Sequence, residues 1–142
     1  MAKSTRQYVF DGMELLPEAL IQFVEKRLES AIKGHWQVEV VERISGLKTK
    51  DGAVSWDQQG LLKTMMIFWR DAFSMVLGHP ERSYVSELLD VRNKLSHNET
   101  FTYDDAERAL DTMRRLMESI SAGETAAEIS KMRDTILRTK YA

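Results

Sequence analysis

The chain has 142 residues, a length for one domain, and its 43% hydrophobic content is enough to bury a real core. The absence of cysteine excludes disulfides, thiol catalysis and cysteine-based zinc sites. A formal net charge of -2 excludes a protein held on nucleic acid by its overall field, so any such contact must be local. With 2 prolines and 7 glycines the chain has room for long helices, and a 30% charged fraction suits helices with solvated outer faces. No run of about 18 apolar residues occurs and Met1-Ala2-Lys3-Ser4-Thr5-Arg6-Gln7 carries no signal-peptide pattern. A soluble, cytoplasmic protein without membrane contact is expected.

Residues 1–10 are polar apart from Tyr8-Val9-Phe10 and read as a docked arm. Asp11 with Glu14 resembles a capping box, and Pro17 suits a first turn. Leu15, Leu16, Ala19, Leu20, Phe23, Val24, Leu28, Ala31 and Ile32 then form a helical stripe that Gly34 closes. From His35 to Trp56 the pattern loosens. Trp36, Val38 and Val40 alternate as in a strand, Val41 and Ile44 also allow a helical turn, and Ser45-Gly46 and Lys50-Asp51-Gly52 mark turns. An irregular linker with a short extended piece is expected. Asp57 caps a second, widely apolar helix running to Leu77 and ended by Gly78-His79-Pro80. A third follows from about Glu81 to His97 on Tyr84, Val85, Leu88, Leu89, Val91 and Leu95. Thr102 with Asp105 caps a fourth, whose stripe of Ala106, Ala109, Leu110, Met113, Leu116, Met117 and Ile120 is nearly ideal. Thr125 and Glu128 open a fifth, over about 124–139, with a basic tail.

The fold class is therefore all-α: an antiparallel bundle of four to five helices with a long irregular connection between the first two. One domain over 1–142 is expected, its bundle at about 11–121. Lys140-Tyr141-Ala142 carries no terminal motif, so a place within a longer protein is left open.

Chemistry concentrates at Arg92-Asn93-Lys94-Leu95-Ser96-His97. At a helix end His97 lies about 140° around the axis from Arg92, and Asn93 shares a side with His97. Arginine grips phosphate through a planar fork of donors, and histidine exchanges a proton near neutral pH. Simpler readings stand beside this. An arginine near the core is more often an ion-pair partner, for which Glu87, Asp90 and the acids of the fourth helix are available. A histidine at a helix C-terminus is favoured by the dipole, and Asn98 suits the left-handed residue that ends a helix. His35 and His79 have no i,i+4 partner histidine, so no metal site and no cofactor are expected. Gly-rich phosphate loops and Gly-x-Ser-x-Gly elbows do not occur.

An arginine, a polar residue next to it and a histidine four to six residues beyond resemble the signature of HEPN domains. Leu88-Leu89-Asp90-Val91-Arg92-Asn93-Lys94-Leu95-Ser96-His97-Asn98 most resembles the subfamily at the front of large multidomain proteins, including ATPases of bacterial phage-defence and restriction systems. The resemblance implies a metal-independent endoribonuclease, or an RNA-binding relative, pairing as a homodimer through the motif-bearing face. By that analogy His97 is the general acid or base, Arg92 holds the scissile phosphate, and Asn93 orients one of them. Lys94 and Ser96 would contact substrate. Some toxin members carry a tyrosine two residues past the histidine, where this chain has Glu99, so regulation through that tyrosine does not carry over. Glu99 also brings a negative charge near the phosphate position.

Three readings follow. The first is a ribonuclease of defence or stress response. The second is a noncatalytic dimerisation or RNA-binding module, fused to or associated with a larger ATPase or defence protein. The third is a plain helical interaction domain whose Arg92 and His97 are structural.

Overall fold

A computed structural model describes residues 3–142. Helix α1 spans Thr5–Ala31 and is capped by the Ser4 hydroxyl, which accepts from the Gln7 N–H at 3.0 Å. The expected docked arm is thus the opening of α1 from Thr5 on, while Met1 and Ala2 lie outside the described residues. Val9, Met13, Leu16, Leu20, Val24 and Leu28 form the buried stripe. Gly12 lets this face lie close on the fourth long helix, since a Cβ there would fall 2.8 Å from Met113 Sδ and 2.9 Å from Leu110 Cδ2.

The early start puts Pro17 inside α1 rather than in its first turn. Proline has no N–H, so the Met13 carbonyl four residues back loses its helical partner. Gln58 Nε2 donates to it instead, at 2.8 Å. A side chain from another helix completes the backbone and pins the two helices together.

The connection between the two long helical regions is long, as expected, but it is not irregular throughout. Helix α2 spans Trp36–Arg43, and Trp36, Val40 and Ile44 are buried while Val38 is 58% exposed. A strand would have placed Trp36, Val38 and Val40 on one side; the core contacts select the i,i+4 spacing instead. The extended piece lies later, where β1 (Lys48–Lys50) pairs antiparallel with β2 (Ala53–Ser55). Asp51 and Gly52 hold φ of 53° and 81°, the left-handed pair of a two-residue hairpin turn. Trp56 stacks on Trp36 with centroids 6.3 Å apart and donates its indole N–H to Glu25 at 2.8 Å, fastening this excursion to α1.

Helix α3 spans Gln58–Ile67, with the Asp57 carboxylate accepting from the Gly60 N–H at 2.6 Å. The single helix expected to run to Leu77 breaks into a π-helical turn at Trp69–Phe73. That wider turn allows Phe68, Trp69, Ala72 and Phe73 all to be buried, and Arg27 Nε donates to the Ala72 carbonyl at 2.9 Å.

Helix α4 spans His79–Ser96 behind a Gly78 cap, with Glu81 accepting from the Gly78 N–H at 2.8 Å. Helix α5 spans Tyr103–Ser119 with the reciprocal Thr102–Asp105 box in place, at 3.0 and 3.2 Å. Helix α6 spans Gly123–Lys140. Helix α5 packs against α6, α4 and α1, and α3 packs against α4 and α1. The buried apolar residues form one cluster inside this all-α bundle. No helix among the described residues is long and apolar enough to cross a membrane.

Candidate functional site

The motif occupies the last turn and a half of α4 and the turn that ends it. His97 is the C-cap, and its N–H bonds the Asn93 carbonyl at 3.0 Å. Asn98 takes φ of 56°, so its N–H reaches the Leu95 carbonyl at 3.2 Å and the Glu99 N–H reaches the Lys94 carbonyl at 3.0 Å. This is a Schellman stop with asparagine in the left-handed position. It satisfies the helix end with backbone alone. The side chains of Asn93, His97 and Glu99 are exposed and take part in no hydrogen bond or ion pair among the described residues.

Because α4 advances about 100° per residue, the motif side chains form three lines. Arg92 and Ser96 make the first: the Arg92 guanidinium donates to the Ser96 hydroxyl, and both line a shallow pocket of about 190 Å³ with Arg6, Phe10, Glu14, Gln58 and Leu95. Asn93 and His97 make the second, facing solvent. Lys94 lies on the third, in the groove between α4 and α5 beside Glu87, Asp90 and Asp105. Arg92 and Ser96 are therefore brought together, Asn93 and His97 stand on the neighbouring strip, and Lys94 faces carboxylates on the other side.

The ion-pair reading of Arg92 depended on nearby acids, and the structure assigns the main one elsewhere. Glu87 accepts from Arg108 Nε at 2.9 Å and from the Thr112 hydroxyl at 3.1 Å. Arg92 forms no ion pair among the described residues, although it is half-buried at the edge of the Val85–Leu88 line. A guanidinium that meets only a hydroxyl keeps its charge and most of its donors for an outside anion.

Sequence reasoning missed Arg6. It stands in the first turn of α1 and donates from Nη2 to the Leu95 carbonyl at 2.9 Å, while the neighbouring Thr5 hydroxyl donates to the Phe101 carbonyl at 2.6 Å. These two bonds lock the start of α1 onto the end of α4 and onto the connection that leads into α5. A cation at a helix C-terminus is also favoured by the dipole. Like Arg92, Arg6 has no carboxylate partner among the described residues, and its buried Nε–H has no acceptor among them either. The available signal was Arg6 and Phe10 at i,i+4 spacing, a shared helix face in a segment otherwise read as an arm.

Among the described residues no three His, Cys, Asp or Glu side chains gather as a metal ion would require. The site offers a phosphate-binding fork, an exposed imidazole and neutral polar groups on one helix end, within a small all-α bundle.

A helical bundle bearing an Arg-x-x-x-x-His motif at the end of a central helix defines the class. The Swt1-like HEPN family model matches residues 11–121, most of the chain, and the protein belongs to that family. No curated protein and no solved structure matches the chain. At a coarse level, family membership makes this a module of the ribonuclease or RNA-binding type.

Proposed function

We propose that the chain is a metal-independent endoribonuclease of bacterial defence or stress response, working in the cytoplasm as a homodimer through the face that bears the motif. The observation that carries this reading is an Arg92 without a carboxylate partner and an exposed His97 without a side-chain hydrogen bond, among the described residues, at the same helix end. The chemistry fits ribose. The 2′-hydroxyl attacks the adjacent phosphorus, the bond to the 5′-oxygen breaks, and a 2′,3′-cyclic phosphate and a 5′-hydroxyl result. An imidazole takes the 2′ proton or gives one to the leaving oxygen, and Arg92 balances the charge that builds on the phosphoryl oxygens. Asn93 shares the His97 strip and is placed to orient the same phosphodiester. Ser96, held by Arg92, fixes the fork.

A homodimer is part of the reading because His97 is open to solvent in one chain. Proton transfer is more effective where water is excluded, and a second copy across the motif would supply the missing wall. The defence setting rests on the likeness of the Leu88–Asn98 run to the subfamily fused to large ATPases.

One observation favours a second reading, a noncatalytic dimerisation or RNA-binding module of a larger protein. Glu99, exposed two residues past His97, puts a carboxylate where a phosphate would approach. RNA cleavage in EDTA by the wild type and by His97→Ala separates the two. Cleavage that is lost in the variant supports the enzyme. A wild type that dimerises and leaves RNA intact hands the case to the module.

A further inference from the structure

We propose that the pocket between the start of α1 and the end of α4 is a single-nucleotide subsite for an RNA strand, in which Arg6 binds one backbone phosphate beside Arg92 and Phe10 stacks on the adjoining base. This inference rests on the RNA reading above and extends it to residues the family match does not reach, since Arg6 and Phe10 precede residue 11.

Three features of the pocket argue for it. The two guanidiniums line it from opposite helices, and neither is neutralised by an acid among the described residues. Among the described residues Arg6 uses one side-chain hydrogen bond, to Leu95, and its Nε–H is shielded from solvent and unmatched. Two guanidiniums against the single Glu14 carboxylate leave the lining net positive, which favours an anion as ligand. Phe10 adds the apolar face: it is 41% exposed one turn along α1 from Arg6 and lines the same cavity. A cation pair alone suits any phosphate, whereas a cation pair flanked by an exposed ring suits a phosphate with a base attached.

The other end of the pocket limits the site. Glu14 continues the Arg6–Phe10 line and sits by Gln58, whose amide lies 3.4 Å from its carboxylate. Gln58 is already committed to the Met13 carbonyl, so it cannot swing away to receive a ligand. A second phosphate would meet the Glu14 carboxylate. The subsite therefore takes one phosphate and one base, and the strand leaves toward His97 and solvent.

The test measures affinity of the full chain for a short single-stranded 2′-O-methyl RNA, which cannot supply the internal nucleophile, across a range of salt. Removing one phosphate contact from a single strand flattens the slope of log affinity against log salt by about 0.7. Arg6→Gln removes the guanidinium charge, along with its reach to the Leu95 carbonyl, and is expected to flatten the slope by that amount. Phe10→Ala is expected to weaken binding roughly 5- to 20-fold and leave the slope unchanged. Arg82→Gln, an exposed arginine about 15 Å along α4 by helical rise, changes neither.

Wild-type binding with an unchanged slope in Arg6→Gln and unchanged affinity in Phe10→Ala overturns the subsite and leaves the RNA reading standing. A folded wild type that binds no RNA overturns both. Competition by a free nucleoside monophosphate as effective as by the strand makes the pocket a mononucleotide site and overturns the strand assignment. If Arg6→Gln fails to fold, Phe10→Ala decides, because its ring is at the surface.

Discussion

The α5–α6 face and the α1–α4 end of this bundle use the same side chain in opposite ways. On the first, Arg114 meets Asp111 at 2.8 Å and Glu118 at 2.9 Å, Arg115 meets Asp111 at 2.8 Å, and Arg133 meets Glu107 at 2.6 Å. Every one of those guanidiniums faces a carboxylate. On the second, Arg6 meets a carbonyl and Arg92 a hydroxyl. The paired set has its charge cancelled within the chain, and the second set meets only neutral oxygen. A guanidinium closed by an acid reports on stability; one that touches only neutral oxygen is available to a phosphate.

The comparison is sharpest if the two faces separate function from stability. The largest effect belongs to His97→Ala, which is expected to lower RNA cleavage 10²- to 10⁴-fold while the melting temperature holds, because its side chain is exposed. Next comes a matched pair. Arg92→Lys keeps the charge but loses the planar fork, and cleavage should fall roughly 10- to 100-fold with stability unchanged. Arg114→Lys should lower the melting temperature slightly and leave cleavage alone. A stability loss in the first or an activity loss in the second breaks the division.

Not every polar group at the site end is free. Gln58 lines the pocket but serves the Met13 carbonyl that Pro17 leaves unpaired. Gln58→Leu should cost about 1–2 kcal/mol in chemical denaturation, the toll for an unmatched part-buried acceptor. Pro17→Ala restores an N–H at the right place, so in that background the same change should cost little. A double-mutant cycle with no coupling refutes this account.

What the sequence displayed was local, and what it hid was distant. The caps at Asp57 and at Thr102–Asp105 were readable because each donor and acceptor lies three residues apart. The α5 stripe was readable because its period matches a helix throughout. The start of α1 was misplaced because Asp11 and Glu14 imitate a capping box, although the working cap, Ser4 with Gln7, offers the same spacing seven residues earlier. The strand-like Trp36-Val38-Val40 pattern yielded to a helix because burial of Ile44 rewards the other spacing. The π-turn after Ile67 carries no glycine or proline to announce it. At the site, the placing of Arg92 beside the core stripe was legible, but its lack of an acid was not: Glu87 is claimed by Arg108 twenty-one positions on. Arg6 was invisible for the same reason, its contact with Leu95 spanning 89 positions.

The smallest effect, and the one that tests the paired face directly, is a pH dependence. Burial is the strongest single influence on the Asp111 carboxyl and works to raise its pKa, but the hydrogen bonds and charges of Arg114 and Arg115 together outweigh it and hold the group below its ordinary 3.8. A depressed carboxyl pKa means that folding favours the ionised form. That stabilisation is complete above the unfolded value and is lost as pH falls through the folded one. Asp111→Asn should therefore cost about 1 kcal/mol at neutral pH, a figure kept low because the side chain is 23% exposed. As pH falls past the unfolded value and through the lower folded one, the wild-type acid takes up a proton and the gap between the two melting curves should close. Arg92→Gln supplies the contrast, since Arg92 forms no ion pair among the described residues: its effect on the melting temperature should stay level through the same acid window. Closure of the gap for Asp111 together with a level Arg92 trace would show that the two ends of the molecule differ in what they hold, not merely in where their arginines lie.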